Sequence, residues 1–119
     1  MYLCNALSLG MLAARAGTTI YISAVSAEII AEQIKLGFVQ SAVGHEPTAV
    51  LFSAILGVPV AMARATLSLG DGDACLVGQY IGPRLPEGAT TLPEGATIEW
   101  LRLDFKVAPP WIRSRSKKK

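Results

Sequence analysis

The longest stretch without a charged residue covers positions 47–63, and it limits what this hydrophobic chain can fold into. Hydrophobic residues make up 51% of the sequence and charged residues 17%, which excludes an intrinsically disordered chain. A bilayer-spanning helix needs roughly 20 apolar residues, whereas this stretch is shorter and is interrupted by Gly57 and Pro59. We therefore expect no membrane partner, and we predict that the stretch is a buried helix leading into a strand.

Short segments with strand or helix patterns fill the rest of the chain. The patterns predict strands over residues 2–6, 18–25, 59–69, 74–81 and 96–105, and helices over residues 9–15, 27–37 and 47–56. The Gly-Asp-Gly-Asp turn at 70–73 predicts a hairpin between the third and fourth strands. Together these elements predict an α+β fold, with a mixed sheet of about five strands and two or three helices in one domain.

The charged residues divide the chain into a domain at 1–106 and a basic tail at 107–119. The net charge is +2, yet the segment before residue 112 carries more acidic than basic residues. The surplus comes from the tail, at Arg113, Arg115, Lys117, Lys118 and Lys119, after the Pro109-Pro110 pair. We expect a disordered tail and no stable DNA partner; a weak nucleic-acid tether is the alternative.

The cysteines and the amino-terminal segment indicate an intracellular protein. Cys4 and Cys75 are the two thiols, and their spacing matches neither a disulfide framework nor a zinc site. No positive residue precedes the first apolar stretch, so we expect no signal peptide and a cytoplasmic location.

His45 is the single histidine, and it lies in a Gly-His-Glu-Pro turn before the helix at 47–56. A lone histidine is commonly a structural residue, but the start of a helix favours an anion such as phosphate. Arg64 interrupts an otherwise uncharged strand pattern, either as a snorkelling side chain or as an anion clamp. One histidine without a CxxC or HExxH partner does not make a metal site, so none is predicted.

Two further motifs have both a structural and a functional interpretation. Arg84 and Glu87 lie in a Pro/Gly-rich loop, which is either a rigid turn with a surface ion pair or part of a binding site. Asn5 and Ser8 lie between the first strand and the first helix, where a turn residue and a helix cap are the plain explanation.

Four segments of the chain, taken in order, resemble the small viral and mobile-element ring nucleases that act as anti-CRISPR proteins against type III systems. These segments are NALSLGML, AVGHEPT, GDGDACLV and QYIGPRLPEG. The resemblance covers residues 2–105. It implies a homodimeric phosphodiesterase that binds cyclic tetra-adenylate and cuts it into linear di-adenylate, in the cytoplasm of the host cell if a virus encodes it.

The resemblance also implies roles for six residues. His45 matches the general acid, Arg64 the contact to the scissile phosphate, and Glu87 with Arg84 the pair of the RLxEG motif; we take His45, Arg64 and Glu87 as catalytic. The same comparison makes Asn5 and Ser8, together with Arg84, ligand-binding residues. Gly10 stands where some relatives have a second Asn, which affects the expected ligand contacts.

No metal or cofactor is expected, because the ribose 2′-OH of the ring supplies its own nucleophile. Two other functions remain open at this point. One is a non-catalytic sponge that binds the cyclic nucleotide without cutting it. The other is a small nucleic-acid-associated regulator whose affinity comes from the basic tail.

Overall fold

The computed structural model of the protein describes residues 1–109 and residue 111. Within these residues, five strands form one sheet, and two α-helices and one short 3-10 turn connect them. The elements are β1 (Tyr2–Cys4), the 3-10 turn (Leu9–Met11), β2 (Thr18–Ala24), α1 (Ala27–Lys35), β3 (Gln40–Ser41), α2 (Glu46–Leu56), β4 (Ala74–Ile81) and β5 (Thr97–Val107). The basic residues of the predicted tail lie outside the described residues.

The sheet is mixed, with the strand order β2-β5-β4-β1-β3. β1 pairs in parallel with β3 on one side and with β4 on the other. β5 pairs antiparallel with both β4 and β2. This arrangement confirms the predicted α+β fold, with five strands and two helices in a single domain.

Local signals explain where both helices begin and end. The Ser26 hydroxyl accepts a hydrogen bond from the Ile29 amide (3.2 Å), which caps α1. In α2, Pro47 lies in the first turn, where its missing N–H is not needed. Gly57 ends α2 in the left-handed conformation at φ 69°, which glycine adopts without a steric penalty.

The sheet has a buried cluster on each face. Both helices pack on one face, where Phe52 of α2 meets Trp100 of β5 with ring centroids 4.9 Å apart. The segments around residues 7–12 and 67–69 cover the other face. The buried residues there are Cys4, Leu12, Leu67, Leu69, Cys75, Val77, Leu103 and Phe105.

The predicted hairpin between residues 59–69 and 74–81 is wrong. β4 is hydrogen-bonded to β1 along one edge and to β5 along the other, so no edge remains for a third partner. Residues 59–69 instead run along the domain with isolated bridges, Val43 to Met62 and Leu12 to Leu69. Leu67 and Leu69 are buried, so the alternation that predicted a strand reflects a segment packed on one side.

The predicted helix at 9–15 is also wrong beyond its first turn. Leu12 has an extended backbone, with φ −88° and ψ 129°. The amide of Ala13 donates to the carbonyl of Leu69 (2.9 Å), and the amide of Leu69 donates to the carbonyl of Met11 (2.7 Å). These long-range hydrogen bonds replace the ones a helix would make. Among the described residues, no helix has the length and apolar character that crossing a bilayer requires.

Candidate active site

The candidate site lies at the carboxyl ends of the three parallel strands. Asn5 and Ser8 follow β1, His45 follows β3, and the loop with Arg84 and Glu87 follows β4. Parallel strands end at the same edge of a sheet, and ligands of such sheets bind at that edge. Residues that are far apart in sequence are therefore brought to one side of the domain.

His45 is the N-cap residue of α2 and is exposed. Its Nδ1 lies 2.8 Å from the hydroxyl oxygen of Thr48, one turn into the helix. Because this hydrogen bond engages Nδ1, Nε2 is the ring nitrogen that stays available to a ligand. The amino end of α2 also carries the positive end of the helix dipole, which favours an anion beside the ring.

The backbone of Gly44 connects His45 to two other predicted site residues. Its amide donates to Oδ1 of Asn5 at 3.3 Å, and its carbonyl accepts from Nε of Arg64 at 3.4 Å. A Cβ at this position would lie 3.5 Å from Cγ of Arg64, which is ordinary contact. Asn5 and Arg64 thus hold the backbone immediately before the histidine from two sides.

Two cavities hold the six predicted site residues. The first, of about 420 Å³, is lined by His45, Glu46, Pro47, Arg84, Leu85, Pro86 and Glu87. The second, of about 280 Å³, includes Asn5, Ser8, Gly44 and Arg64 in its lining. The structure therefore brings His45, Arg84 and Glu87 together, and it brings Asn5, Ser8 and Arg64 together around Gly44.

A larger cavity of about 530 Å³ lies at the other end of the sheet, near the amino ends of β1 and β4. Met1, Tyr2, Asp73 and Arg102 are in its lining. It contains none of the six predicted site residues. The candidate site is therefore assigned from the residues that line a cavity and not from the cavity's volume.

Two contacts anchor the loop that carries Arg84. The hydroxyl of Tyr80 donates to the carbonyl of Pro83 at 2.6 Å. Gly82 approaches Ala96 so closely that a Cβ on it would lie 2.6 Å from the Cβ of Ala96. The loop therefore leaves β4 in a defined direction.

Arg84 and Glu87 are exposed and do not form a salt bridge with each other. Among the described residues, the side chains within salt-bridge distance are those of Arg102 and Asp104. The surface ion pair that served as the plain interpretation of this loop is absent. Both charged groups are thus available to a ligand in the cavity they share with His45.

One of the two buried thiols, Cys4, lines the second cavity. Cys4 and Cys75 are free and buried on neighbouring strands. The side-chain hydrogen bond with Cys4, together with burial, raises the pKa of the Cys75 thiol well above its usual range. In the described part of the chain, no group of three or more His, Cys, Asp and Glu side chains is placed to hold a metal ion.

The sequence interpretation overlooked Thr48 and the backbone of Gly44. Thr48 is three residues after the N-cap histidine, and side chains three residues apart are neighbours along a helix. That spacing was the available signal. The role of Gly44 had no signal, because its partners Asn5 and Arg64 come from distant segments.

Comparison with known proteins adds a family and a fold relative. The family described as STIV B116-like matches residues 1–102, a span that contains all six predicted site residues. Among solved structures, the chain is similar to B116 of Sulfolobus turreted icosahedral virus, with 26% sequence identity and a TM-score of 0.69. The similarity covers 86% of this chain and 96% of that chain. No curated protein sequence matches.

Proposed function

This chain belongs to the STIV B116-like family, and on that premise we propose that it is a metal-independent ring nuclease. It cuts cyclic tetra-adenylate into linear di-adenylate and thereby antagonises type III CRISPR signalling in the cytoplasm of the host cell. The observation that carries the proposal is the convergence of His45, Arg84 and Glu87 on one cavity at the amino end of α2. An anion-binding helix terminus, an arginine and a potential proton donor are what phosphodiester cleavage requires.

The proposed reaction uses the ribose 2′-OH as nucleophile. Its oxygen attacks the adjacent phosphorus, the bond from phosphorus to the 5′ oxygen breaks, and His45 protonates the departing 5′ oxygen through Nε2. Glu87 accepts a hydrogen bond from the 2′-OH as that group loses its proton to solvent. A general acid of this kind contributes ~10²–10⁴ in rate.

The arginines stabilise charge in this reaction. Arg84 lines the same cavity as His45, and Arg64 lies across Gly44 from it. Guanidinium groups aimed at the phosphorane oxygens act most strongly as negative charge develops there. Asn5 and Ser8 line the neighbouring cavity, where they contact the sugar or base next to the scissile phosphate.

A homodimer is part of the proposal. A ring of four nucleotides is larger than either cavity, of about 420 and about 280 Å³, so one subunit encloses only part of it. A two-fold dimer presents one His45 to each of two opposite phosphates of a symmetric ring. Two cuts then give two dinucleotides.

The test incubates the protein and its His45→Ala variant with labelled cyclic tetra-adenylate in excess EDTA and separates the ring from linear products over time. We expect the wild type to cleave the ring, and the variant to lose most of the turnover while its binding of the ring stays largely intact, because a general acid acts mainly in the transition state. An intact ring retained by both proteins would instead establish a sponge. Equal loss of binding and cleavage in the variant would contradict the acid role.

The near repeat LPEGAT offers a matched control for Glu87. Glu87 and Glu94 have the same local sequence, but only Glu87 lines the cavity with His45. Glu87→Gln is expected to lower the cleavage rate, whereas Glu94→Gln leaves it unchanged. Equal effects of the two substitutions would exclude a specific role for Glu87.

The arginines and the tail distinguish the nuclease from the basic-tailed regulator. Arg64→Ala and Arg84→Ala are expected to weaken both ring binding and cleavage, because each removes a positive charge from the phosphate site. Deleting residues 112–119 is expected to change neither. Loss of ring cleavage on that deletion would show that the functional unit extends into the tail.

A further inference from the structure

Thr48 is the polar side chain that the fold buries beside the candidate site. It is 7% exposed and is the single polar or charged residue among the buried ones in the described part of the chain. Its hydroxyl oxygen lies 2.8 Å from Nδ1 of His45, whose own side chain is exposed. A hydrogen bond with a buried hydroxyl restricts the side-chain rotation of an exposed imidazole, which is otherwise free to rotate.

We propose that Thr48 is a positioning residue for His45, an inference that rests on the proposed function. A hydroxyl both donates and accepts, so it matches either protonation state of the ring. In the imidazolium, Nδ1–H donates to the Thr48 oxygen and Nε2–H points away from it. Once the Nε2 proton passes to the leaving 5′ oxygen, the proton on Nδ1 keeps its acceptor, and the ring keeps its orientation.

The position of Thr48 makes this support rigid. It lies in the first turn of α2, and Ala49, Leu51 and Phe52 after it are buried against the sheet. Gly44, on the other side of His45, is held by Asn5 and Arg64. The histidine backbone is thus fixed from the amino side and its ring from the carboxyl side, which is the pre-organisation that efficient proton transfer needs.

The variants Thr48→Val and Thr48→Ser separate the hydroxyl from the shape of the side chain. Valine keeps the volume and loses the hydrogen bond, and serine keeps the hydroxyl. We expect Thr48→Val to lower kcat by about tenfold to a hundredfold with little change in KM, because misorientation of a catalytic group acts on the chemical step. Thr48→Ser is expected to restore most of the lost rate. Thr19→Val, at an exposed position on β2, is the control and keeps full activity.

The double variant and an NMR measurement complete the test. In a His45→Ala background, Thr48→Val is expected to have no further effect on the rate, because the histidine it positions is gone. The single histidine gives one set of ring signals, and couplings to the carbon-bound ring protons distinguish its Nδ1–H from its Nε2–H. We expect the Nδ1–H signal to be protected from solvent exchange in the wild type and in Thr48→Ser, and to be lost in Thr48→Val.

Two results would overturn the inference. One is a Thr48→Val enzyme with wild-type kcat while His45→Ala is inactive. The other is an Nδ1–H signal that is the same in the wild type and in Thr48→Val. If the wild type cleaves no ring, the proposed function fails, and the NMR comparison alone decides whether Thr48 positions the histidine.

Discussion

Gly78 lies at the centre of β4, where the strand has no room for a side chain. A Cβ at this position would be 2.6 Å from Cζ of Phe52 and 2.6 Å from Cζ3 of Trp100. Carbon atoms in favourable contact are about 3.5–4.0 Å apart, so each ring must retreat by about 1 Å. Phe52 is fully buried, and its ring is tilted by 58° against that of Trp100. Neither ring can move without disturbing the packing of α2 on the sheet.

These distances give a magnitude for the substitution Gly78→Ala. Overpacking of a core costs about 1–3 kcal/mol, and two clashing rings place this position toward the upper end. The smaller conformational entropy of alanine in the unfolded chain offsets about 0.5–1 kcal/mol. The net loss of unfolding free energy is about 2 kcal/mol, which corresponds to a decrease in Tm of roughly 8 °C for a domain of this size.

The assay is thermal and urea unfolding followed by circular dichroism, with Gly70→Ala as the control. A Cβ on Gly70 would lie 3.7 Å from that of Ala13, which is ordinary contact, so its Tm is expected to stay close to that of the wild type. Phe52→Leu in the Gly78→Ala background is expected to recover part of the loss, because it removes one of the clashing rings. A Tm for Gly78→Ala within about 2 °C of the wild type would refute the packing argument.

Three further predictions concern the site loop, the first helix and the buried thiols. Gly82→Ala places a Cβ 2.6 Å from that of Ala96 and so displaces the loop that carries Arg84. Calorimetry in a His45→Ala background should show about tenfold weaker ring binding, which is a loss of about 1.4 kcal/mol in binding free energy. Unchanged affinity would contradict this prediction. Ser26→Ala removes the hydroxyl that caps α1 and should lower the unfolding free energy by about 1 kcal/mol in urea, whereas Ser68→Ala, at an exposed position, should not. Because the raised pKa of Cys75 keeps its proton on the folded protein, its contribution to stability is present below the ordinary thiol pKa of about 8.5 and is lost as the pH rises above it. Urea unfolding over a pH series should therefore show a smaller alkaline loss of stability in the Cys4→Ala/Cys75→Ala double variant, which removes both interacting thiols, than in the wild type, and identical slopes would refute the assignment.

The sequence by itself determined the elements whose signals are local. Ser26 and Gly57 mark the start of α1 and the end of α2, because a cap or a left-handed glycine acts on the hydrogen bonds of its own turn. The alternating residues at 96–105 predicted β5, since successive side chains of a strand point to opposite faces of the sheet. The fold class followed from the number and order of such segments, and it is confirmed.

Strand partners were decided by the tertiary structure. The segment at 59–69 and β4 have the pattern and the turn of a hairpin, but β1 and β5 occupy both edges of β4. Which strand pairs with each edge of β4 depends on the relative stability of all possible pairings in the chain. The pattern within one segment carries no information about the other segments that can pair there. The helix predicted at 9–15 is wrong for the same reason, because the backbone groups of Met11 and Ala13 form hydrogen bonds with Leu69 instead of within a helix.

The candidate site divides in the same way. The residue types and the motifs with His45, Arg84 and Glu87 are visible in the sequence, and the resemblance they carry predicted a shared site. Their convergence on one cavity depends on β1, β3 and β4 ending at the same edge of the sheet. The contact of Thr48 with His45 depends on where α2 begins. Distances between side chains are set by the packing of whole elements, and for that physical reason only the tertiary structure decides them.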